Sequence, residues 1–387
     1  MQNIELLFEK NRKAIYKIKI TKGQIIFINK DSLFTGKNIN TIIEFINAIH
    51  FQYPGVRMPI FINLGDITFI DKLTFVFLEC ICYSLIDKYR QEVHIFSKVK
   101  KSIGTEGAYS SPLLLLNSGK IDNMIKFKDK FKKDTYGYHL RRVISGKDRD
   151  NTNFLGELFE EIDSFLTPFG VQDDCKDDIS KVIVELVGNS CEHGISDCLI
   201  DVDVTGDYSR RVNDIVDSDD YYGINIVVLN FSDKLIGDGI KRKIAERFDC
   251  DGRYKNIYSA YEYHKSKFSS EYLEEDFYNI TAFQHKISGR EHCESTGGTG
   301  LTQLIKSLEK RSSAHKCYMI SGGRAVHFLQ NTIDFDEDNW VGFNKAKNYI
   351  NGIPEKRVIS ECYIYMPGTA FNLNFVMKGK KIYGKED

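Results

Sequence analysis

Apolar positions along the chain follow two different periods. Short β-branched and aromatic runs stand at residues 14–29 (IYKIKI and QIIFIN, split by Lys22-Gly23), at 59–64 (PIFINL, then a turn at Gly65-Asp66 and ITFID) and at 92–97 (EVHIFS). Runs of this length bounded by turn residues read as strands. Residues 73–90 have helical length and end in polar residues. Strands alternating with a helix predict an α/β layer over residues 1–100. Residues 101–150, frequent in Gly, Ser and Lys, read as the edge of that unit and a connector. Beyond them, helices are predicted at 153–166 (NFLGELFEEIDSFL) and about 177–193, then strands at 199–204 and 223–230 around an acidic hairpin, NDIVDSDDYYG. A long polar and aromatic stretch reaches Gly297, a helix follows over 301–310, and strand-like pieces close the chain at 317–322, 361–366 and 370–377. This order predicts a helix layer on a mixed sheet. The expectation is an α/β (α+β) protein with two domains, residues 1–150 and 151–387.

Composition narrows the function classes. With 42% hydrophobic and 12% aromatic residues, each half can bury a core, which excludes a disordered chain. The net charge of −1, from 53 basic and 54 acidic residues, gives no field to hold a polyanion, so nucleic acid is not an expected partner. The densest basic stretch, 126–133, reads as a solvated helix face. Nine cysteines without a CxxC pair predict reduced, mostly buried thiols rather than a zinc site. Residues 1–12 lack an apolar signal core, and the longest apolar stretch, 73–86, is interrupted by Glu79 and too short to span a bilayer. The chain therefore reads as cytoplasmic, with no membrane contact.

Two constellations carry chemistry. In VIVELVGNSCEHG, Glu185, Asn189 and His193 lie at i, i+4 and i+8, along one face of a helix whose other positions (Ile179, Val182, Ile183, Val184, Leu186, Val187) are apolar. A carboxylate one turn from a carboxamide suits magnesium–nucleotide chemistry: the amide oxygen can ligate Mg²⁺, and the carboxylate can take a proton from an attacking water or hydroxyl. His193 either meets the phosphates or ends the helix. In STGGTGLTQLIKSL, Gly297, Gly298, Thr299, Gly300 and Leu301 run into an apolar helix. Glycines allow close approach to a ligand, and a helix N-terminus offers N–H groups to phosphate. No GKS or GKT follows, so this is not a P-loop, and the spacing is not that of a dinucleotide fingerprint. Lys286 and Arg290 are candidate cations for a γ-phosphate, and His292, Cys293 and Glu294 are too few for a metal site.

Taken together and in this order, ExxxN on a buried helix, strands, a long lid over about 233–296 and GGTGL opening a helix resemble the Bergerat fold. That is the ATP-binding domain of gyrase B, MutL, heat-shock chaperones, sensor histidine kinases and anti-sigma-factor kinases. The resemblance covers about residues 155–380 and implies ATP and Mg²⁺ as cofactors, Glu185 as general base, Asn189 as magnesium ligand, and Gly297, Gly298 and Gly300 closing over the phosphates. The closing PGTAFNLNF looks like the family's last strands, with Gly368-Thr369 passing under adenine. One motif departs: where the family carries an Asp to accept the adenine amino group, this chain has Asn230, with Asp233 and Asp238 as rivals.

The run PIFINLGDITFIDKLTFVFLECI resembles the STAS domain of anti-sigma-factor antagonists over about residues 14–100. Leu73 stands where that family's phosphoacceptor serine would be, and the neighbouring Thr74 reads as a helix cap, so the half is expected to be an interaction module. The functional expectation is a Mg-ATP-dependent switch acting on a protein partner or on a second copy in a homodimer. An anti-sigma-type serine/threonine kinase and a non-hydrolysing nucleotide-binding scaffold are the alternatives.

Overall fold

The computed structural model describes residues 1–378 except 13–15, 100–110, 119, 195, 209–210, 213–214, 217–220, 250–251, 253, 286, 288–299 and 312–316. The N-terminal half runs α1 (Leu6–Lys10), β1 (Ile20–Thr21), β2 (Gln24–Ile28), β3 (Leu33–Phe34), α2 (Gly36–Gln52), β4 (Ile60–Phe69), α3 (Lys72–Asp87), β5 (Val93–Val99) and α4 (Ile121–Lys132). β2, β3 and β5 pair in parallel with β4, and β1 adds antiparallel to β2. The turn expected at Gly65-Asp66 is instead a bulge inside β4. Gly65 takes a positive φ of 67° there, and the register with β5 shifts between Asn63 and Gly65.

The chain continues as β6 (Lys133–Tyr136), β7 (His139–Ile144), α5 (Gly146–Arg149), α6 (Phe154–Leu166), α7 (Asp173–Gly194), β8 (Cys198–Tyr208), β9 (Arg211–Val212), β10 (Ile215–Val216) and β11 (Tyr221–Phe231). It ends as α8 (Asp238–Ala245), α9 (Lys255–Lys265), α10 (Glu274–Thr281), α11 (Gly300–Arg311), β12 (Tyr318–His327) and β13 (Ile359–Lys378). Six strands form one sheet in the order β12-β13-β11-β8-β7-β6, antiparallel at every described pairing, so the mixed sheet is the N-terminal one. The two strand pieces expected at 361–366 and 370–377 are one 20-residue strand.

The six-stranded sheet is buried on both faces. Ile200, Val202, Val204, Ile226, Val228, Leu373 and Phe375 point toward α6, α7 and α11. Leu199, Val227, Leu229, Phe231 and Ala370 point into the core of the N-terminal half. α3 fills the space between this second face and the N-terminal sheet, which is why its residues from Lys72 to Ile86 are all buried. Each Leu, Ile or Phe buried there contributes about 1.5–3 kcal/mol. The break expected at residue 150 therefore has sheet on both sides, because β6 and β7, from the stretch read as a connector, form one edge of the C-terminal sheet. α4 buries Met124, Phe127 and Phe131 and exposes Lys126, Lys130 and Lys132, the solvated basic face that the sequence suggests.

The stretch expected to be a lid also folds differently. Its described residues form α8, α9 and α10, with Ile240, Ile257, Ala260, Phe277, Ile280 and Phe283 in the core. Asp276 of α10 accepts from Arg324 of β12 at 2.7 and 2.8 Å, and the Gln284 side chain exchanges two hydrogen bonds of 2.9 Å with the Val341 backbone. The described part of this aromatic and polar stretch is thus helical and packed on the sheet and its neighbours.

Candidate functional site

α7 forms as its apolar spacing requires. Ile179, Val182, Ile183, Leu186 and Val187 are buried against the sheet and α6, while Glu185 and Asn189, one turn apart, are half-buried at the margin of that face. The helix lies over β8, β11 and β13, with α11 packed beside it. Its C-terminal end runs through Ser196 into β8, so Asn189 sits about 7.5 Å along the axis from the end of the helix.

At that same end of the sheet, three polar side chains interrupt an apolar face. Asn230 of β11 is the register partner of Thr369 of β13, and Thr369 is in turn the partner of Ser321 of β12. Asn230 follows Ile226 and Val228 at period two, so it faces the helix layer, as does Thr369 beside Phe371. Asn230 is only 4% exposed, and its Nδ2 donates to Ser196 Oγ at 3.2 Å. Ser321 Oγ donates to the Gly368 carbonyl at 2.7 Å and accepts from Ile236 N at 3.2 Å. Gly368 has φ +96°, and a Cβ there would run into the carbonyl oxygen of Asn230, so the close crossing of β13 past β11 requires glycine.

Of the rivals to Asn230, Asp233 is exposed and pairs with Lys10 at 3.1 Å, and Asp238 is exposed and accepts from Leu235 N at 2.7 Å at the start of α8. The structure therefore groups Asn230 and Thr369 under the end of α7, and leaves the two aspartates engaged elsewhere. Gly300 and Leu301 begin α11, which packs on α7. Gly297, Gly298 and Thr299 lie outside the described residues, as do Lys286, Arg290, His292, Cys293, Glu294 and the side chain of His193.

A second constellation, which sequence reasoning missed, lies on the opposite face of the sheet. Lys72, at the first turn of α3, sits between Asp201 and Asp203 of β8, touching Asp201 and reaching Asp203 Oδ2 at 2.5 Å. Arg141 of β7 pairs with Asp201 and with Glu79 of α3, His139 Nε2 meets Asp201 Oδ2 at 3.1 Å, and Ser111 Oγ donates to Glu79 at 2.5 Å. Burial alone would raise the Asp201 carboxyl, but Arg141, Lys72 and His139 outweigh it and hold it well below the usual carboxylate range. Burial alone would likewise lower Lys72, but Asp201 and Asp203 outweigh it and raise it. His139, Asp201 and Asp203 have ligand atoms within 4.8 Å of one another, as a metal site would. The Lys72 ammonium already stands against both carboxylates, so this group is an ion-pair lock between α3 and the sheet. Two more bonds tie the same helix end: Leu73 N donates to Asn372 Oδ1 at 3.1 Å, and Tyr318 Oη donates to Asp71 at 2.7 Å. The helix cap is Asp71, whose Oδ1 accepts from Thr74 N at 2.8 Å, and not Thr74. The available signal was a pair of aspartates at i, i+2 on one face of the apolar strand LIDVDV.

No family model, curated protein or solved structure matches the chain. Among the described residues, no helix is long and apolar enough to cross a membrane.

Proposed function

We propose that the chain is a cytoplasmic Mg-ATP-binding protein of the Bergerat type that hydrolyses ATP and acts as a nucleotide-dependent switch on a protein partner or on a second copy of itself. The observation that carries this reading is the polar pair Asn230–Thr369, in register on the helix-facing side of the sheet beneath the end of α7. The family resemblance implies these two positions for adenine, and they come from segments 139 residues apart (369 minus 230). Glu185 and Asn189 on the margin of α7, and α11 packed alongside with its N-terminus at Gly300, support the same reading. The residues fit the cofactor: the Asn189 carboxamide offers Mg²⁺ the hard oxygen it prefers, and Asn230 offers the base a buried acceptor. Bound magnesium would neutralise phosphate charge. Glu185 would orient the attacking water and take its proton, and the first N–H groups of α11 would hold phosphate oxygens.

Thr74 is 5% exposed and the α3 N-terminus is docked on the sheet, so under a kinase alternative Thr74 is not an accessible phosphoryl acceptor. The non-hydrolysing scaffold is the second reading. Two observations favour it: the neutral Asn230, and the packing of α8–α10 into the core, which leaves less chain free to close. ATP turnover by wild type and Glu185→Gln separates the two. Switching by hydrolysis requires a loss of about 10²-fold or more in the variant with nucleotide binding retained; equal phosphate release from both would remove Glu185 from the chemistry.

A further inference from the structure

The polar row at the end of the sheet has an unusual property for a base-recognition site: it carries no charge, and its buried amide is held by a group that can either donate or accept. Asn230 is 4% exposed, and its Nδ2 lies 3.2 Å from the hydroxyl of Ser196, which is itself fully buried. A carboxamide is nearly isosteric under a half-turn that exchanges its oxygen and its NH₂. In one orientation the NH₂ donates to the Ser196 oxygen and leaves Oδ1 for a ligand. In the other, the Ser196 hydroxyl donates to Oδ1 and leaves the NH₂ for a ligand. Each keeps one end of the buried amide bonded to Ser196 and leaves the other for the ligand to satisfy, so the two orientations start level. Ser321 does not disturb this balance, because its hydroxyl is committed to the Gly368 carbonyl and the Ile236 N–H. Thr369, the register partner of Asn230, contributes another hydroxyl that donates or accepts.

We infer that Asn230 and Ser196 together let the base end of the proposed nucleotide site accept either an amino group or a carbonyl at purine C6, so that adenine and guanine nucleotides bind with similar affinity. The inference rests on the ATP-site reading above. Adenine presents an amino donor at C6 and a bare acceptor at N1; guanine presents a carbonyl acceptor and an N1–H donor. A carboxylate in this place could only accept, and would select the adenine pattern. Asparagine backed by serine presents Oδ1 to the first and NH₂ to the second.

The test is equilibrium binding of Mg-ATP, Mg-GTP and Mg-ITP to the wild-type chain. ITP carries the C6 carbonyl without the 2-amino group and isolates the recognition at issue. Dissociation constants for ATP and ITP within tenfold, with GTP following ITP, are the expected result. A preference for ATP over ITP, or the reverse, of more than tenfold overturns the inference while leaving the site intact. Failure of all three to bind overturns the site reading itself, and the inference with it. Asn230→Asp should then separate ATP from ITP by at least tenfold in favour of ATP. An Asn230→Asp protein that is folded by circular dichroism and still does not discriminate also overturns the inference. The wild-type comparison decides the matter if that variant fails to fold.

Discussion

Replacing Lys72 by methionine tests how the two halves are held together. Methionine keeps much of the length of the apolar stem, so the change removes charge more than volume. The Lys72 side chain is 2% exposed, and its carboxylate partners Asp201 and Asp203 are 0% and 2% exposed. No solvent is at hand to replace the ammonium. Arg141 and His139 remain on Asp201, whereas the described ion pair of Asp203 is with Lys72. Stranding a buried partner in this way costs about 3–5 kcal/mol, against about 0–1 kcal/mol for an exposed pair. The urea midpoint at neutral pH should fall accordingly, and the double variant Lys72→Met/Asp203→Asn should recover about 1–3 kcal/mol by removing the stranded charge. The pH dependence has a fixed sign. Asp201 is depressed in the fold, so its contribution is present above the unfolded carboxyl value of about 3.9 and is lost as pH falls through the lower folded value. Lys72 is raised, so its contribution is present below about 10.4 and is lost as pH rises through the higher folded value. A Lys72→Met cost under about 1 kcal/mol at pH 7 would refute the lock.

Two further outcomes follow from single positions. Gly368→Ala places a side chain at φ +96° and against the Asn230 carbonyl, so thermal unfolding should show a loss beyond the roughly 1–3 kcal/mol of local strain, and nucleotide binding should fall with it. His264 is buried, with Nδ1 2.5 Å from Tyr272 Oη and Nε2 2.8 Å from the Tyr349 carbonyl, and burial lowers its pKa. A lowered value means that stability is present above the unfolded histidine value of about 6.5 and is lost as pH falls below it; His264→Gln should flatten that acid limb in denaturation measured from pH 7 to 5.

Elements whose apolar spacing is local were legible in the sequence. α6, α7 and α11 follow from periods of three and four residues, and β8 and β11 from short apolar runs. What stayed hidden depends on distant partners. β6 and β7 look polar because Asp134, His139 and Arg141 are buried through charge rather than hydropathy, and the carboxylates that satisfy His139 and Arg141 lie about 60 residues away. α2 is the exception: Ile39, Ile42, Ile43, Ile46 and Ile49 keep the same local period of three and four behind a capping box at Thr35–Asn38, so the sequence carried that helix as well. α9 and α10 bury His264 and Thr281, whose polar atoms find their partners, Tyr272 and Tyr349, outside those helices. For the candidate site, the Glu185–Asn189 spacing is a property of one helix and can be read directly. The juxtaposition of Asn230 with Thr369 is a property of strand register and needs the whole sheet.

The measurement that bears most directly on the nucleotide site is the thermal midpoint of wild type and Asn189→Ala with and without millimolar Mg-ATP. Ligand that binds only the folded state raises its stability by about 2.7 kcal/mol at a hundredfold excess over the dissociation constant. A rise in wild type that is lost in Asn189→Ala is the predicted result. An unchanged wild-type midpoint at millimolar Mg-ATP would contradict the account.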